Sequence, residues 1–238
     1  QFRLHDQTPY GMEALLRWKH GKMGMIPPDR FIPLAEETGL IVPIGVWVLR
    51  AACAQAKDWL DQGLVFERIS VNLAGPQLQR GSILESVQQA LAETGLPPGK
   101  LELEVTESFI MDQSDRLVSV LKQLRHLGVT LAVDDFGTGY SSLARLKRLP
   151  IDRLKLDRSF VRELPFDQDD TAIARAVIAL GRSLGLRVIA EGVETAEQVA
   201  FLRQEGCHEA QGYYFSKPVS ADRAADILAG KGNACVIS

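Results

Sequence analysis

Two adjacent carboxylates, Asp134 and Asp135, follow a short apolar segment at positions 131–133. Such a segment is typical of a buried strand, and Gly137 and Gly139 predict that a loop comes next. Neighbouring carboxylates at a buried strand end repel each other, so either a positive partner keeps both ionised or one of them retains its proton. A divalent metal, or a pair of metals, is the simplest positive partner. For these two residues alone, an Asx turn in which Asp accepts hydrogen bonds from the following amides is the favoured alternative.

Similar polar side chains stand at the ends of other apolar segments, namely Glu13, Asn72, Glu104, Lys155 and Glu191. Carboxylate and amide oxygens suit Mg²⁺ or Mn²⁺ rather than zinc, and the chain has no HExxH motif. Each acid taken singly is best explained as solvated or ion-paired. The set predicts a metal site, because unrelated surface acids would not share the same face at the same strand ends.

These positions require a scaffold that gathers distant strand ends. Short apolar segments alternate with longer amphipathic ones, which predicts βα units and a parallel sheet. Glycines that are typical of helix ends follow the amphipathic segments at Gly39, Gly63, Gly95, Gly128, Gly185 and Gly206. Strands are predicted near 2–4, 11–17, 67–73, 100–105, 129–134, 152–156, 186–190 and 210–214. Helices are predicted near 29–38, 42–62, 82–94, 115–127, 141–148, 169–184, 195–205 and 221–229.

About eight strands predict an α/β fold, a (β/α)₈ TIM-like barrel that forms a single domain over residues 1–238. Alternate residues of a barrel strand face the helices and the interior in turn. In the segment 101–105 the apolar residues share one face, and Glu102 and Glu104 share the other. The same alternation turns Asn72, Asp134 and Lys155 inward. The candidate residues therefore meet at the C-terminal end of the barrel, where enzymes of this architecture carry their active sites.

Composition excludes several other classes of protein. The net charge is −3 and the basic residues are scattered, so duplex nucleic acid is not an expected partner. Three distant cysteines without CxxC spacing predict neither a disulfide framework nor structural zinc, and they fit a reducing cytoplasm. No apolar run approaches the length of a membrane span. Because the chain begins at Gln1, we expect it to be a fragment of a longer protein, which could itself be membrane-anchored.

The segment Glu13-Ala14-Leu15-Leu16-Arg17-Trp18 resembles the signature of the EAL domains, bacterial phosphodiesterases of cyclic di-GMP. The resemblance continues through residues 70–73, 103–108, 134–143, 155–157, 190–194 and 211–213, so it covers nearly the whole chain with specific motifs. It implies metal-dependent hydrolysis of cyclic di-GMP to linear pGpG in second-messenger signalling. The implied cofactors are paired Mg²⁺ or Mn²⁺ ions. We expect Ca²⁺ to inhibit, because it prefers longer bonds and more ligands, which would distort the spacing of a paired site.

By this resemblance the expected metal ligands are Glu13, Asn72, Glu104, Asp134, Asp135 and Glu191. Asp134 is expected to bridge two metals, of which Asp135 holds the second. The expected catalytic residues are Lys155, which positions the attacking water, Glu191, which holds metal or water, and Glu107, which anchors the loop after Asp135. We expect Glu107 to fix this loop by accepting hydrogen bonds from Thr138, Ser141 or backbone amides. Leu15, Arg17, Asp157 and Gln211 are the expected substrate-binding residues, and Arg17 would contact a phosphate.

The same resemblance implies partners beyond the substrate. A homodimer is expected, formed through the helix near 141–148, on which we predict an exposed apolar side of Leu143 and Leu146. A sensory or GGDEF-type domain is expected to precede the chain. One departure is that the segment from Leu4 to Tyr10 enters the signature almost directly. Either the first hairpin is short, or residues are missing between His5 and Thr8. We favour missing residues, because the loss of an edge of a closed barrel would expose strand backbone groups that the fold normally pairs.

Three other functions are consistent with parts of the sequence. A receptor that binds cyclic di-GMP without hydrolysing it would lose ligands, whereas every expected position is occupied here. A metal-dependent lyase or aldolase would use Lys155 as a Schiff-base amine, which the surrounding carboxylates disfavour by keeping it protonated. A dinucleotide-binding loop at 137–139 lacks its third glycine and is excluded.

Overall fold

A computed structural model describes residues 1–79, 83–111, 115–139 and 143–231. The strands are β1 (Phe2–Arg3), β2 (Gly11–Ala14), β3 (Trp18–His20), β4 (Gly24–Ile26), β5 (Arg68–Leu73), β6 (Leu101–Thr106), β7 (Thr130–Phe136), β8 (Arg153–Leu156), β9 (Arg187–Ala190) and β10 (Glu209–Ala210). The helices are α1 (Pro28–Glu37), α2 (Ile41–Asp61), α3 (Gly75–Gln79), α4 (Ile83–Thr94), α5 (Glu107–Met111), α6 (Asp115–His126), α7 (Leu143–Leu146), α8 (Gln168–Leu184), α9 (Ala196–Gln204) and α10 (Ala221–Leu228).

Eight of these strands form one sheet in the order β1-β10-β9-β8-β7-β6-β5-β2. The strands from β2 through β5 to β10 are parallel to their neighbours, whereas β1 is antiparallel to β10. The two edges approach each other, because the amides of Tyr10 and Gly11 donate to the carbonyl of Gln1 at 3.0 and 3.5 Å. The result is a nearly closed barrel, which confirms the predicted (β/α)₈ TIM-like fold.

The predicted alternation of strand faces is present in β6. Leu101, Leu103 and Val105 are buried against the helices, while Glu102 and Glu104 are fully buried inside the barrel. The six glycines predicted at helix ends all have φ between 70° and 97°, the left-handed conformation that glycine adopts at low cost. Helix ends were therefore readable from the sequence.

Two predicted strands are shorter in the structure. The first ends at Ala14, and the following residues lead into an unpredicted two-stranded hairpin of β3 and β4. The strand predicted at 210–214 ends at Ala210, because the chain turns tightly at Gly212 against the backbone of Val193. The short helices α3 and α5 were also not predicted.

The helix predicted near 141–148 is described as α7, with residues 141 and 142 outside the described part of the chain. Leu143 is 59% exposed, but Leu146 is only 1% exposed. The prediction of an apolar side exposed at both residues was therefore wrong for Leu146, which packs in the core.

The first hairpin is short and closed as it stands. Phe2 bridges to Pro9, and the amide of Arg3 donates to the carbonyl of Thr8 at 3.0 Å. Among the described residues, no helix combines the length and apolarity that a membrane crossing requires.

Candidate active site

The predicted inward side chains meet at the carboxyl ends of the parallel strands. Strand register places Asn72 of β5 opposite Glu104 of β6, and Asp134 lies one strand further on β7. Ion pairs and hydrogen bonds join seven side chains into one cluster: Glu13, Asn72, Glu104, Asp134, Lys155, Glu191 and Gln211. We call these seven residues the mouth cluster.

Lys155 lies at the centre of the mouth cluster and is 1% exposed. Its Nζ is 2.5 Å from Glu104 Oε2, 2.8 Å from Glu191 Oε1 and 3.0 Å from Asp134 Oδ1, with Glu13 Oε2 at 3.8 Å. Burial lowers the pKa of Lys155, but the four carboxylates outweigh burial and raise it well above its usual value. The ammonium therefore keeps its proton, which argues against a Schiff-base role.

Two side-chain amides hold Glu13. Asn72 Nδ2 donates to Glu13 Oε1 at 2.8 Å, and Gln211 Nε2 donates to Glu13 Oε2 at 2.8 Å and to Glu191 Oε1 at 2.7 Å. Burial raises the pKa of Glu13, but Lys155 and these two amides together lower the pKa by more than burial raises it, so the net shift is downward. Glu13 is thus a fixed, ionised carboxylate.

The pKa values of Glu104 and Glu191 shift in the opposite direction, upward. Burial is the largest cause that raises the pKa of Glu104 well above its usual value, and the neighbouring acids add to it. Burial likewise raises the pKa of Glu191 to about 8, with Asp134 and Glu13 contributing and Lys155 opposing. The Oε1 atom of Glu104 is buried without a hydrogen-bond partner among the described residues. One ammonium is too little positive charge for four acids, of which Glu104 and Asp134 are buried and Glu13 and Glu191 are partly buried.

Asp135 occupies an unusual backbone conformation, with φ at 54°. The pairing between β7 and β8 is irregular between Val133 and Phe136, so both adjacent carboxylates can point toward the mouth. The amide of Asp135 donates to Asp134 Oδ1 at 2.9 Å. Burial, Asp134 and Asp157 raise the pKa of Asp135. Carboxylate oxygens of Asp134, Asp135 and Glu191 lie within 4.8 Å of one another, close enough to share a metal.

Glu107 is 1% exposed and lies at the start of α5. Its Oε2 accepts from the amide of Gly137 at 2.8 Å and from the amide of Gly139 at 3.4 Å. The sequence predicted backbone amides as possible donors, and this contact is confirmed. The Thr138 hydroxyl, another expected donor, instead donates to the carbonyl of Asp135. Ser141, the third, lies outside the described residues.

The expected substrate-binding residues are distributed around the mouth. Gln211 belongs to the mouth cluster, and the side chain of Asp157 lies against Asp135 and accepts from the amide of Ser159 at 2.9 Å. Leu15 is 45% exposed. The guanidinium of Arg17 is exposed and donates to the carbonyl of Leu16. Among the described residues, no hydrogen bond or ion pair joins Leu15 or Arg17 to the mouth cluster.

Gly212 is a residue whose role the sequence did not reveal. A Cβ at this position would lie 2.1 Å from the carbonyl oxygen of Val193, and φ is 156°. The carbonyl of Gln211 accepts from the amide of Val193 at 3.1 Å, so this close approach fixes the backbone that carries Gln211. The sequence feature that could have indicated this role is the glycine directly after Gln211.

Residues 1–218 match the sequence profile of the EAL domain. The chain belongs to the EAL domain family. This EAL domain is 50% identical over 213 residues to the bifunctional diguanylate cyclase/cyclic di-GMP phosphodiesterase MucR of Pseudomonas aeruginosa, covering 90% of this chain and 31% of the relative. It is 42% identical over 210 residues to the cyclic di-GMP phosphodiesterase PdeR of Escherichia coli, covering 88% of this chain and 32% of the relative. The chain thus spans about a third of the length of these curated relatives.

Solved structures agree with this assignment. The PaMucR phosphodiesterase in a c-di-GMP complex superposes on this EAL domain with a TM-score of 0.86 at 50% identity, covering 89% of this chain and 86% of that chain. The cGMP-bound form of the EAL enzyme Bd1971 gives a TM-score of 0.90 at 33% identity, covering 95% of this chain and 63% of that chain. The predicted family is therefore confirmed.

Proposed function

We propose that this EAL domain hydrolyses cyclic di-GMP to linear pGpG with the help of Mg²⁺ or Mn²⁺. The observation that carries the proposal is the mouth cluster, in which Lys155 contacts four acids at the C-terminal end of the barrel. Support comes from relatives at 42–50% identity that are named cyclic di-GMP phosphodiesterases. The PaMucR structure, which is 50% identical, holds c-di-GMP.

The mouth cluster fits a pair of divalent metals. Its donors are carboxylate and amide oxygens, and the buried Glu104 Oε1 has no hydrogen-bond partner among the described residues. We propose Glu13, Asn72, Glu104 and Asp134 as ligands of one ion, and Asp134, Asp135 and Glu191 as ligands of the other. When bound, two such ions lower the pKa of a water and stabilise charge developing on the phosphate.

The protein's own residues would supply position and charge. The three N–H groups of the Lys155 ammonium face Glu104, Asp134 and Glu191 within 3.0 Å. If bound cations took over these carboxylates, the ammonium would be free to donate to the attacking water and to position it for the phosphorus. The water would give up a proton and add to phosphorus while the bond to one ribose oxygen breaks. That ribose oxygen would take up a proton and become a hydroxyl, which opens the cyclic dinucleotide. Glu107 would act through the loop after Asp135, to whose amides it is bonded.

Leu15, Arg17, Asp157 and Gln211 are proposed to bind the substrate. The exposed guanidinium of Arg17 is free to turn toward a phosphate oxygen, with which an arginine forms bidentate hydrogen bonds. Exposed Leu15 offers an apolar contact for a base. Asp157 would act near Asp135, and Gln211 would orient the acids beside the reacting phosphate.

The test is to incubate the domain with cyclic di-GMP and Mg²⁺ and to resolve the nucleotides by chromatography. We expect pGpG to accumulate with the wild-type chain and not with Asp134→Asn. Lys122→Ala, a change on an exposed face of α6, serves as the matched control and should keep wild-type turnover. Binding of cyclic di-GMP without turnover in excess Mg²⁺ would identify a receptor instead of an enzyme.

We also infer that residues 1–238 form one domain of a longer cytoplasmic signalling protein, since the curated relatives are about three times as long. A sensory or GGDEF-type domain and a second copy of this chain are proposed partners, and Leu143 on α7 is an exposed apolar contact for the dimer. Light scattering of wild type and Leu143→Glu tests the dimer: loss of dimer in the variant supports it, and a monomeric wild type contradicts it.

A further inference from the structure

The end of the barrel opposite the mouth cluster contains a cavity of about 980 Å³. It lies at the amino ends of β5 to β9, so the barrel interior separates it from the candidate active site. Six cationic residues line it: Arg68, Lys100, Arg125, Lys147, Arg153 and Arg187. We call it the basal cavity. Such a concentration of positive charge is unexpected in a chain whose net charge is −3.

Two carboxylates also line the basal cavity, and both are already engaged. Asp152 Oδ1 pairs with Arg125 at 2.9 Å, while its Oδ2 accepts from the amide of Leu131 at 3.0 Å. Glu67 pairs with Arg68 at 3.0 Å and with Arg3. These acids therefore have little remaining capacity to neutralise the other cations.

The floor of the basal cavity is a buried ion-pair network. Arg68 and Arg153 are each only 5% exposed, and both pair with the fully buried Glu102, at 3.3 and 2.5 Å. Glu209, also buried, pairs with Arg153 at 3.0 Å and with Arg187 at 3.0 Å. The two floor arginines are thus held rigidly, as a preorganised binding site requires.

Positive charge remains in excess after these pairs are counted. Four of the six lining cations, Arg68, Arg125, Arg153 and Arg187, and also Arg3 pair with four carboxylates among the described residues. With Lys100 and Lys147 included, seven cations face four carboxylates, so three positive charges are left over. Lys147 is exposed and forms no ion pair with any residue that the structure describes, and the side chain of Arg187 is 55% exposed. The side chains of Lys147 and Arg187 can therefore turn toward a ligand at a modest cost in free energy.

We propose that the basal cavity binds an anion with at least two phosphate groups, either free or as part of a nucleotide. A phosphate group carries about −1.5 to −2 charge at neutral pH, so two of them match an excess of three positive charges. The guanidinium forks of the arginines suit phosphate oxygens. Partly buried Leu149, Leu184 and Leu186 add an apolar wall that a nucleotide base could contact.

Calorimetric titration with pyrophosphate tests the proposal. The buffer contains EDTA and about 50 mM salt, which removes metal from the mouth cluster and limits screening. We expect wild type to bind at millimolar or lower concentration, and the double variant Lys147→Gln/Arg187→Gln to bind at least about tenfold more weakly. Lys147→Gln alone replaces an exposed side chain and disturbs no ion pair among the described residues, so a measurable loss in that variant would not reflect a broken ion pair.

Arg148→Gln is the matched control, because Arg148 is exposed beside Lys147 but does not line the basal cavity. It should retain binding within about twofold, and so should Asp134→Asn in the mouth cluster. No binding at 10 mM pyrophosphate, about ten times the weakest dissociation constant expected, would overturn the proposal. An equal loss in Arg148→Gln would overturn it as well.

Nucleotide probes identify the chemical group that is recognised. Guanosine triphosphate should bind at least as tightly as pyrophosphate, whereas guanosine without phosphate should not bind. Guanosine binding as tightly as the triphosphate would contradict recognition through phosphate. Because these titrations need neither metal nor turnover, they remain decisive even if the proposed hydrolysis of cyclic di-GMP fails its own test.

Discussion

Lys155 illustrates how one residue type determines the electrostatics of the candidate site. It is a buried amine whose ammonium lies within 3.8 Å of four carboxylates. Its contacts differ from those of a structural salt bridge, because the acids outnumber it and Glu104 and Glu191 have raised pKa values. This surplus of carboxylate is what a divalent cation would neutralise.

We predict that Lys155→Ala lowers kcat by about 10²–10³, on the order of 3–4 kcal/mol, and leaves substrate affinity largely intact. The reason is that the ammonium would position the attacking water rather than hold the bound dinucleotide. Steady-state kinetics at saturating Mg²⁺ gives kcat and KM separately. Lys122→Ala, an exposed lysine on α6, is the control. Lost binding with an unchanged kcat would show that Lys155 only holds phosphate.

Glu107 accepts hydrogen bonds from the amides of Gly137 and Gly139, in the loop that follows the proposed metal ligand Asp135. We predict that Glu107→Ala folds but loses most activity, because the loop no longer holds Asp135 in place. Its apparent metal affinity should be weaker, and high Mn²⁺ should partly restore turnover. Metal titrations of activity measure this effect.

The control for Glu107 is Glu85→Ala, which removes an exposed acid from α4 and should change neither turnover nor metal dependence. Wild-type turnover of Glu107→Ala at limiting Mg²⁺ would contradict the anchoring role.

At the scale of the element, strand alternation and glycine helix ends were predictable because both depend on local periodicity. The inward positions of Glu104, Asp134 and Lys155 followed from alternation alone. The left-handed backbone of Asp135 did not, because it depends on the irregular pairing of β7 with β8. Burial of Leu146 was missed for a similar reason: a four-residue helix is too short for its pattern to show which side packs.

The end of β10 provides a prediction at this scale. Gly212→Ala should destabilise the domain by about 2–4 kcal/mol and reduce activity, because its Cβ would clash with Val193 and displace Gln211. Chemical denaturation measures the change in the free energy of unfolding. Gly185→Ala also has positive φ but meets nothing within 4 Å, so its cost should be only about 1 kcal/mol. Equal costs in both variants would rule out the clash.

At the scale of the whole molecule, the barrel brings residues from Glu13 to Gln211 into one site, so binding of the proposed metals would be coupled to fold stability. We predict that activity requires Mg²⁺ or Mn²⁺, disappears in EDTA and falls at least about tenfold when Ca²⁺ replaces Mg²⁺. Ca²⁺ prefers longer bonds and more ligands, which would alter the spacing of paired ions. Turnover assays in each metal measure this. Equal rates with Ca²⁺, or full activity in EDTA, would contradict a two-metal site.

The raised carboxyl pKa values also link the stability of the metal-free domain to pH. A carboxyl group whose pKa rises on folding keeps its proton in the folded chain after the unfolded chain has lost it. For Glu191 this window runs from its usual pKa of 4.5 to about 8, and Glu104 shifts in the same direction. The folded chain then binds more protons than the unfolded chain, so stability falls as pH rises through the window.

We therefore predict that, in EDTA, the free energy of unfolding declines between pH 5 and pH 8, by up to about 1.4 kcal/mol per pH unit for each such group. Saturating Mg²⁺ should remove most of the decline, because bound cations favour the ionised carboxylates that the buried site otherwise disfavours. Denaturant unfolding at each pH measures both curves. Glu191→Gln should flatten the metal-free curve and raise stability at pH 8, whereas Glu85→Gln on the exposed face of α4 should reproduce wild type. A flat wild-type curve, or one that Mg²⁺ leaves unchanged, would show that the surplus carboxylates are neutralised in some other way.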